Sequence, residues 1–255
     1  MSDRRTFLAR SAALAAIFGL SGCSGPSQNT WVVGLLEDVE KLTRRAQRLF
    51  AGDHALAPEF AAKDIAPVFR ANGTLNPDTA DYNAHAANGF RDWRITVTGL
   101  VERPFRLSLA QLRAMPSRTQ ITRHDCVEGW SCIGRWKGTP LALLLAAARP
   151  RAEARYAVFR CADNMAQPGF PEQYYYESLD LNEATHPQTI LAYELNGQTL
   201  PIEHGAPVRL RAERQLGYKM AKYVQGIELV TDFAPIAGGK GGYWEDQGYA
   251  WYAGI

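Results

Sequence analysis

Apolar residues recur at 32, 35, 36, 39, 42 and 49. That spacing predicts an amphipathic helix over 31–50, packed on the body of the protein. The acidic Glu37, Asp38 and Glu40 beside it argue against a membrane-facing role. From Asp92 onward the pattern changes to short, mixed elements. "WRITVTGLV" (93–101) alternates as a half-buried strand does. "SLAQLRAMP" (108–116) reads as a short helix capped by Ser108 and stopped by Pro116. "RTQITRHDC" (118–126) reads as a strand with Cys126 at its end. "TPLALLLAAARP" (139–150) predicts a helix with Thr139 as cap, Pro140 in the first turn and Pro150 beyond the end. "ARYAVFRC", "APVRLRA" and "KYVQGIELV" read as strands, and Asn196-Gly197 between two extended runs signals a hairpin. There is no internal repeat. The mixture predicts an α+β fold with several mixed sheets and short helices rather than a doubly wound one.

The N-terminus has its own pattern. Arg4-Arg5 precede Phe7-Leu8, and a ten-residue, largely apolar run follows at 11–20. Such a run is short for a membrane span and suits a twin-arginine export signal. Leu20-Ser21-Gly22-Cys23 resembles a lipoprotein processing box, which makes Cys23 a candidate lipid site. A Ser/Gly/Pro/Gln/Asn stretch at 24–30 follows. The expected organisation is a signal peptide over 1–23, a tether with the amphipathic helix over 24–66, and one domain over 67–255. The expected location is the periplasm or another exported compartment.

The formal charge is +2, and the first ten residues account for it, so the remainder is neutral and offers no nucleic-acid surface. Hydrophobic residues make up 46%, enough for a substantial core. No G-x-G-x-x-G follows a strand, and "GGKGG" (238–242) lacks the P-loop spacing.

With Cys23 set aside, Cys126, Cys132 and Cys161 remain. Three cysteines leave at least one unpaired where disulfides are favoured. Cys126 lies in "RHDCVEGWSC", among charged and aromatic residues before Gly129. A thiolate there suits a soft metal or a nucleophilic role, with a buried structural cysteine as the plain alternative. Downstream, "HGAPVRL" (204–210) and "GYKMAKYV" (217–224) bring a histidine, an arginine and two lysines close in sequence. Lys219 and Lys222, three apart, are candidates to converge on one phosphate, unless they only form a solvated basic face.

Together "HDCVEGWS", "WKGTPL", "HPQTILAYELNGQTLP", "HGAPVRL" and "LGYKMAKYV" resemble the molybdopterin domain of the sulfite oxidase family, in the family's order, over roughly 67–232. The resemblance implies a molybdenum–molybdopterin cofactor with one pterin, and Cys126 as metal ligand and catalytic residue. It places His204, Arg209, Met220, Ala221 and Lys222 on the pterin and its phosphate. Counting without gaps puts Cys161 at a pocket position. "FRANGTLNP" (69–77) resembles the N-terminal cofactor segment and adds Asn72, Leu75 and Asn76. "CVEGWS" is similar to the reductase members, whereas His204 before "APVR" is similar to the oxidases. No C-x-x-C-H haem site is present, so a membrane cytochrome b or another redox protein is the expected electron partner.

The family chemistry is two-electron oxygen-atom transfer. Glu128 beside Cys126 disfavours a doubly charged anion, so a neutral S-oxide or N-oxide is the expected substrate, with sulfite oxidation as the alternative. Two other readings compete: a thiol enzyme with His124 or His204 as base, and a non-catalytic ligand-binding lipoprotein.

Overall fold

A computed structural model describes residue 39 and residues 42–46, 52, 55–167 and 169–255 of the chain. The chain divides into two units, Met1–Gln47 and Arg48–Ile255. In the first, residue 39 and residues 42–46 are helical, and Val39 and Leu42 are exposed. The rest of the expected helix over 31–50, the signal peptide and Cys23 lie outside the described residues. Among the described residues no helix is long and apolar enough to cross a membrane.

Among the described residues of the second unit, the first α-helix is α1 (Ala80–Ala87), capped by the Thr79 side chain, which accepts from Tyr82 N. Strand β1 (Arg94–Gly99) follows and buries Ile95 and Val97, the alternate positions of its sequence. It pairs antiparallel with β2 (Phe105–Ser108). Ser108 then caps α2 (Leu109–Ala114): its hydroxyl accepts from Gln111 N at 3.1 Å, and the Gln111 side chain accepts from Ser108 N at 2.8 Å. Such a reciprocal cap stabilises a helix start by about 1 kcal/mol. The helix stops at Met115, whose backbone is extended, as expected before a proline.

Strands β3 (Arg118–Asp125) and β4 (Ser131–Pro140) form the hairpin whose loop carries Cys126. Thr139 does not cap the next helix, α3 (Leu141–Ala148). It is still within β4, and its hydroxyl donates to Leu112 O at 2.8 Å, so Pro140 takes the cap position with no side-chain bond. Helix α3 buries Leu141, Leu144 and Leu145 almost fully, each worth about 1.5–3 kcal/mol.

After α3 come β5 (Tyr156–Asn164), β6 (Tyr174–Asp180), α4 (Leu181–Ala184), β7 (Ile190–Leu195), β8 (Gln198–Thr199), β9 (Arg209–Arg211), β10 (Val224–Val230) and α5 (Tyr243–Asp246). Asn196 and Gly197 both take positive φ between β7 and β8, the two-residue hairpin turn expected of Asn-Gly. One sheet runs β2-β1-β10-β5-β6, with β1 and β10 parallel. The other runs β3-β4-β7-β8, with β9 also on β7. Residues 55–66, expected as tether, contribute to this second sheet's edge: Glu59 bridges to Thr122, and Phe60 N donates to Ile121 O at 2.8 Å. The main core gathers Ile95, Val97, Leu144, Phe159, Ile227 and Leu229, and a smaller one gathers Phe69, Trp136, Ile190 and Leu195. The architecture is the α+β mixture expected.

Candidate active site

The β3–β4 loop is short and locked. Cys126 N donates to Trp130 O at 2.9 Å, and Gly129 N donates to Cys126 O at 3.0 Å. Gly129 sits at φ 85°, a conformation that favours glycine, so the chain reverses within a few residues of the cysteine. Cys126 is therefore held at the end of a strand by the sheet itself. Its side chain is buried and faces a cleft of about 200 Å³ that opens to solvent. Asn72 donates from Nδ2 to Cys126 Sγ at 3.1 Å, bringing residues 69–74 over the loop. Phe69, which starts that segment, lies against β4 at Gly134, where a Cβ would come within 2.8 Å of its ring.

A group of basic residues lines the same cleft. Arg209, on β9, is buried; Nη1 donates to His204 O at 3.1 Å and Nη2 to Met220 O at 3.3 Å. Its Nε is buried without a partner among the described residues. Burial, then repulsion from Arg211, pulls Arg209 down to about 9. The Lys222 ammonium donates to Asn72 O at 2.8 Å, to Glu203 O at 3.0 Å and to Thr74 O. Burial and the Arg209 charge lower Lys222 to about 7. Burial and Arg209 likewise lower His204 to about 4.

Among the described residues neither Arg209 nor Lys222 forms an ion pair with a carboxylate. Carbonyl oxygens surround them instead. A buried arginine with an orphaned donor and a half-buried lysine that repel each other form an environment that an anion would relieve. The phosphate of a pterin cofactor fits that environment, and a lone thiol at the cleft fits a soft metal.

His124, on β3, is buried, and burial followed by the Arg211 charge holds it well below its ordinary value. Arg211 Nη1 lies 2.9 Å from His124 Nδ1 and has only hydrogens to offer, so Nδ1 is the acceptor and the ring is neutral. Arg211 is itself neutralised by Glu213, with contacts of 2.9 and 2.6 Å. Gly217 passes close to this ring: a Cβ there would sit 2.5 Å from His124 Nε2. Asp163, at the end of β5, is buried beside the cleft, and burial raises it to about 6.

Of the residues singled out from sequence, Cys126, Asn72, His204, Arg209, Met220 and Lys222 line one cleft. Leu75 and Asn76 do not; Leu75 is exposed, and the Asn76 side chain accepts from Asp78 N. Cys161 packs in the main core opposite Val224, and burial pushes its thiol up. Asp163 and Met165, just beyond Cys161, line the cleft. Ala221 is also in the core, where its carbonyl accepts from Leu210 N at 2.8 Å.

Lys219 does not join Lys222. The 3-10 turn Gly217–Lys219 sends its side chain into the interior, between Glu177 and Glu245. Sequence reasoning also missed Asp163, Tyr218, Trp244 and Tyr249 as cleft residues. Asp163 is two residues beyond Cys161 on a strand, which was a usable signal. The aromatic tail had no periodicity to follow.

The chain is similar to several known proteins. A protein of Azospira oryzae, provisionally named protein-methionine-sulfoxide reductase subunit YedZ1, is 37% identical over 251 residues, covering 98% of this chain and 87% of that protein. The protein-methionine-sulfoxide reductase catalytic subunit MsrP of Gluconobacter oxydans is 37% identical over 171 residues, 64% of this chain and 54% of that one. The chain thus spans about half the length of this MsrP relative. Among solved structures, the sulfane dehydrogenase SoxCD of Paracoccus pantotrophus matches at 22% identity with a TM-score of 0.48, over 56% of this chain and 39% of that one. Residues 83–235 match the family described as oxidoreductase molybdopterin binding domain, a stretch that contains Cys126, His204, Arg209 and Lys222. With that match and a relative alike over nearly its whole length, the chain belongs to the molybdopterin-binding oxidoreductases of the sulfite oxidase family and is an enzyme.

Proposed function

We propose that this enzyme removes the oxygen atom from a neutral S-oxide, consuming two electrons and two protons and releasing a sulfide and water. The observation that carries the reading is the composition of the cleft around Cys126. Glu128, Asp163 and Glu203 line it, and Trp130, Tyr218, Trp244 and Tyr249 add aromatic surface. Arg70 and Arg209 line it as well, Arg209 being held by the carbonyls of His204 and Met220, whereas Arg123 and Arg135 do not reach it. Arg123 pairs with Asp125 at 2.8 Å, and Arg135 lies in a separate depression with Lys137 and Glu194. Each unit pair of like charges about 4 Å apart costs roughly 4 kcal/mol at an effective dielectric near 20, so a neutral oxide is favoured over a dianion. The names of the Azospira and Gluconobacter relatives point the same way.

When bound, a single molybdenum–pterin group supplies a two-electron centre for oxygen-atom transfer. The chain's own residues do the rest. Cys126 offers its thiolate, and Asn72 orients that sulfur by its hydrogen bond. Arg209 and Lys222 hold the anionic end of the cofactor. Asp163 carries a proton at the cleft wall at mildly acid pH. In this reading the chain is exported through its twin-arginine leader, Cys23 is its lipid site, and a membrane cytochrome b delivers the electrons.

Sulfite oxidation is the second reading, favoured by His204 and Arg70 at the cleft. The purified enzyme is assayed with reduced viologen against methionine sulfoxide, dimethyl sulfoxide and trimethylamine oxide, and with sulfite plus ferricyanide. Turnover of sulfite far above every oxide overturns the proposal.

A further inference from the structure

The match to the family ends at residue 235, yet the cleft does not. Trp244 and Tyr249, from the segment beyond it, both line the cleft that holds Cys126. Their rings stack, with centroids 5.2 Å apart and planes 28° from parallel. Tyr218 meets Tyr249 edge-on at 5.2 Å. Tyr249 nevertheless remains 39% exposed.

The segment is anchored between these rings and after them. Between them in sequence, Asp246 accepts from Gly238 N at 2.9 Å, Lys240 N at 3.0 Å and the Tyr176 hydroxyl at 2.6 Å. Glu245, fully buried, shares the Lys219 ammonium with Glu177. After them, Leu216 N donates to Ala253 O at 2.9 Å, and Ala253 N donates to the Gln215 side chain at 3.1 Å. Between the anchors the Tyr218 hydroxyl donates to Ala250 O at 2.7 Å. Residues 247–250 form a short loop pinned at each end, with Gly248 at φ 103° making the bend.

We infer that this segment is a built part of the substrate site: Trp244 and Tyr249 form a fixed aromatic platform that binds the apolar substituent of the oxide. The inference rests on the S-oxide reading above and assigns the specificity-determining residues within it. An aromatic pair held rigidly at a cleft mouth, with one ring still open to water, loses little ordering entropy when an apolar group covers it. Aromatic rings also contact sulfur favourably, which suits a thioether-derived substrate and its product. The platform discriminates by size: a large apolar substituent covers both rings, and a methyl group covers little.

The test uses the loaded enzyme and the variants Trp244→Ala, Tyr249→Ala and, as a conservative check, Trp244→Phe. Turnover is measured on methyl phenyl sulfoxide and dimethyl sulfoxide, and binding of methyl phenyl sulfoxide is measured by calorimetry. Each alanine variant should lose about tenfold in kcat/KM on the aryl substrate, chiefly through KM. That loss should be several-fold greater than its loss on dimethyl sulfoxide, and Trp244→Phe should recover part of it. Calorimetry should show the same weakening of binding. Equal losses on both substrates, or unchanged aryl binding in both alanine variants, overturn the inference. If the parent binds the aryl sulfoxide but reduces no oxide, and Tyr249→Ala weakens that binding, the platform stands and the S-oxide reading falls. If the parent does not bind it at all, the platform falls.

Discussion

Lys219→Met tests the interior ion cluster on which the aromatic tail depends. The Lys219 ammonium lies between Glu177 and Glu245, at 2.5 Å from the latter, and all three side chains have essentially no exposure. Two carboxylates and one ammonium share this space. Burial, then repulsion from Glu245, raises Glu177 well above the usual carboxylate range. The two carboxylates, through the same buried pairing, raise Lys219 above its ordinary value. Methionine fills similar volume but removes the only positive charge of the cluster. Breaking a buried pair from one side costs about 3–5 kcal/mol, because the remaining charge is left without a partner. For a folded unit of this size 1 kcal/mol moves Tm by about 2–4 °C, so a drop of about 6–20 °C is expected. Cofactor-free protein followed by circular dichroism reads it directly. The triple variant Lys219→Met, Glu177→Gln, Glu245→Gln removes the unpaired charges and should recover part of the loss. A drop under about 2 °C in the single variant would show that the cluster is solvated and does not anchor the tail.

Three further outcomes follow from the site. Cys126→Ala should abolish turnover while the far-ultraviolet spectrum is kept, because alanine offers no donor to a soft metal; near-parent activity with molybdenum present by metal analysis refutes the assignment. Arg209→Ala and Lys222→Ala should each lower pterin content after purification about tenfold or more, each charge-assisted bond being worth roughly 1.5–3 kcal/mol; full occupancy in both would make them structural cations only. Lys222 is depressed to about 7. A depressed group contributes stability that is present above its unfolded value and lost as pH falls through the folded one. The Tm of cofactor-free protein should therefore carry a component that falls from about pH 10 to pH 7. Lys222→Met should flatten that component, and identical Tm slopes in parent and variant would refute it.

Sequence periodicity carried the parts of this structure whose cause is local. The β1 alternation works because Ile95 and Val97 sit on one face of the pleat, and Asn196-Gly197 makes its turn because both residues tolerate positive φ. The Ser108 cap needs only a partner three residues on. What escaped is decided by distant partners. Thr139 has the chemistry of a cap, but it lies within β4 and its hydroxyl donates to Leu112 O, a partner far from it in sequence. Lys219 and Lys222 look equivalent in "YKMAK", and a single 3-10 turn separates them. One enters the core to meet carboxylates contributed by β6 and the tail, and the other remains at the cleft among carbonyls. The same logic separates Cys126 from Cys161. Cys126 stands in a tight hairpin loop, where main-chain bonds leave its sulfur facing the cleft. Cys161 stands within a strand, where pairing to Val224 directs the thiol into apolar packing. The role proposed for Cys126 rests on that difference in surroundings, since a thiol is available to a metal only where the fold leaves one side of it open.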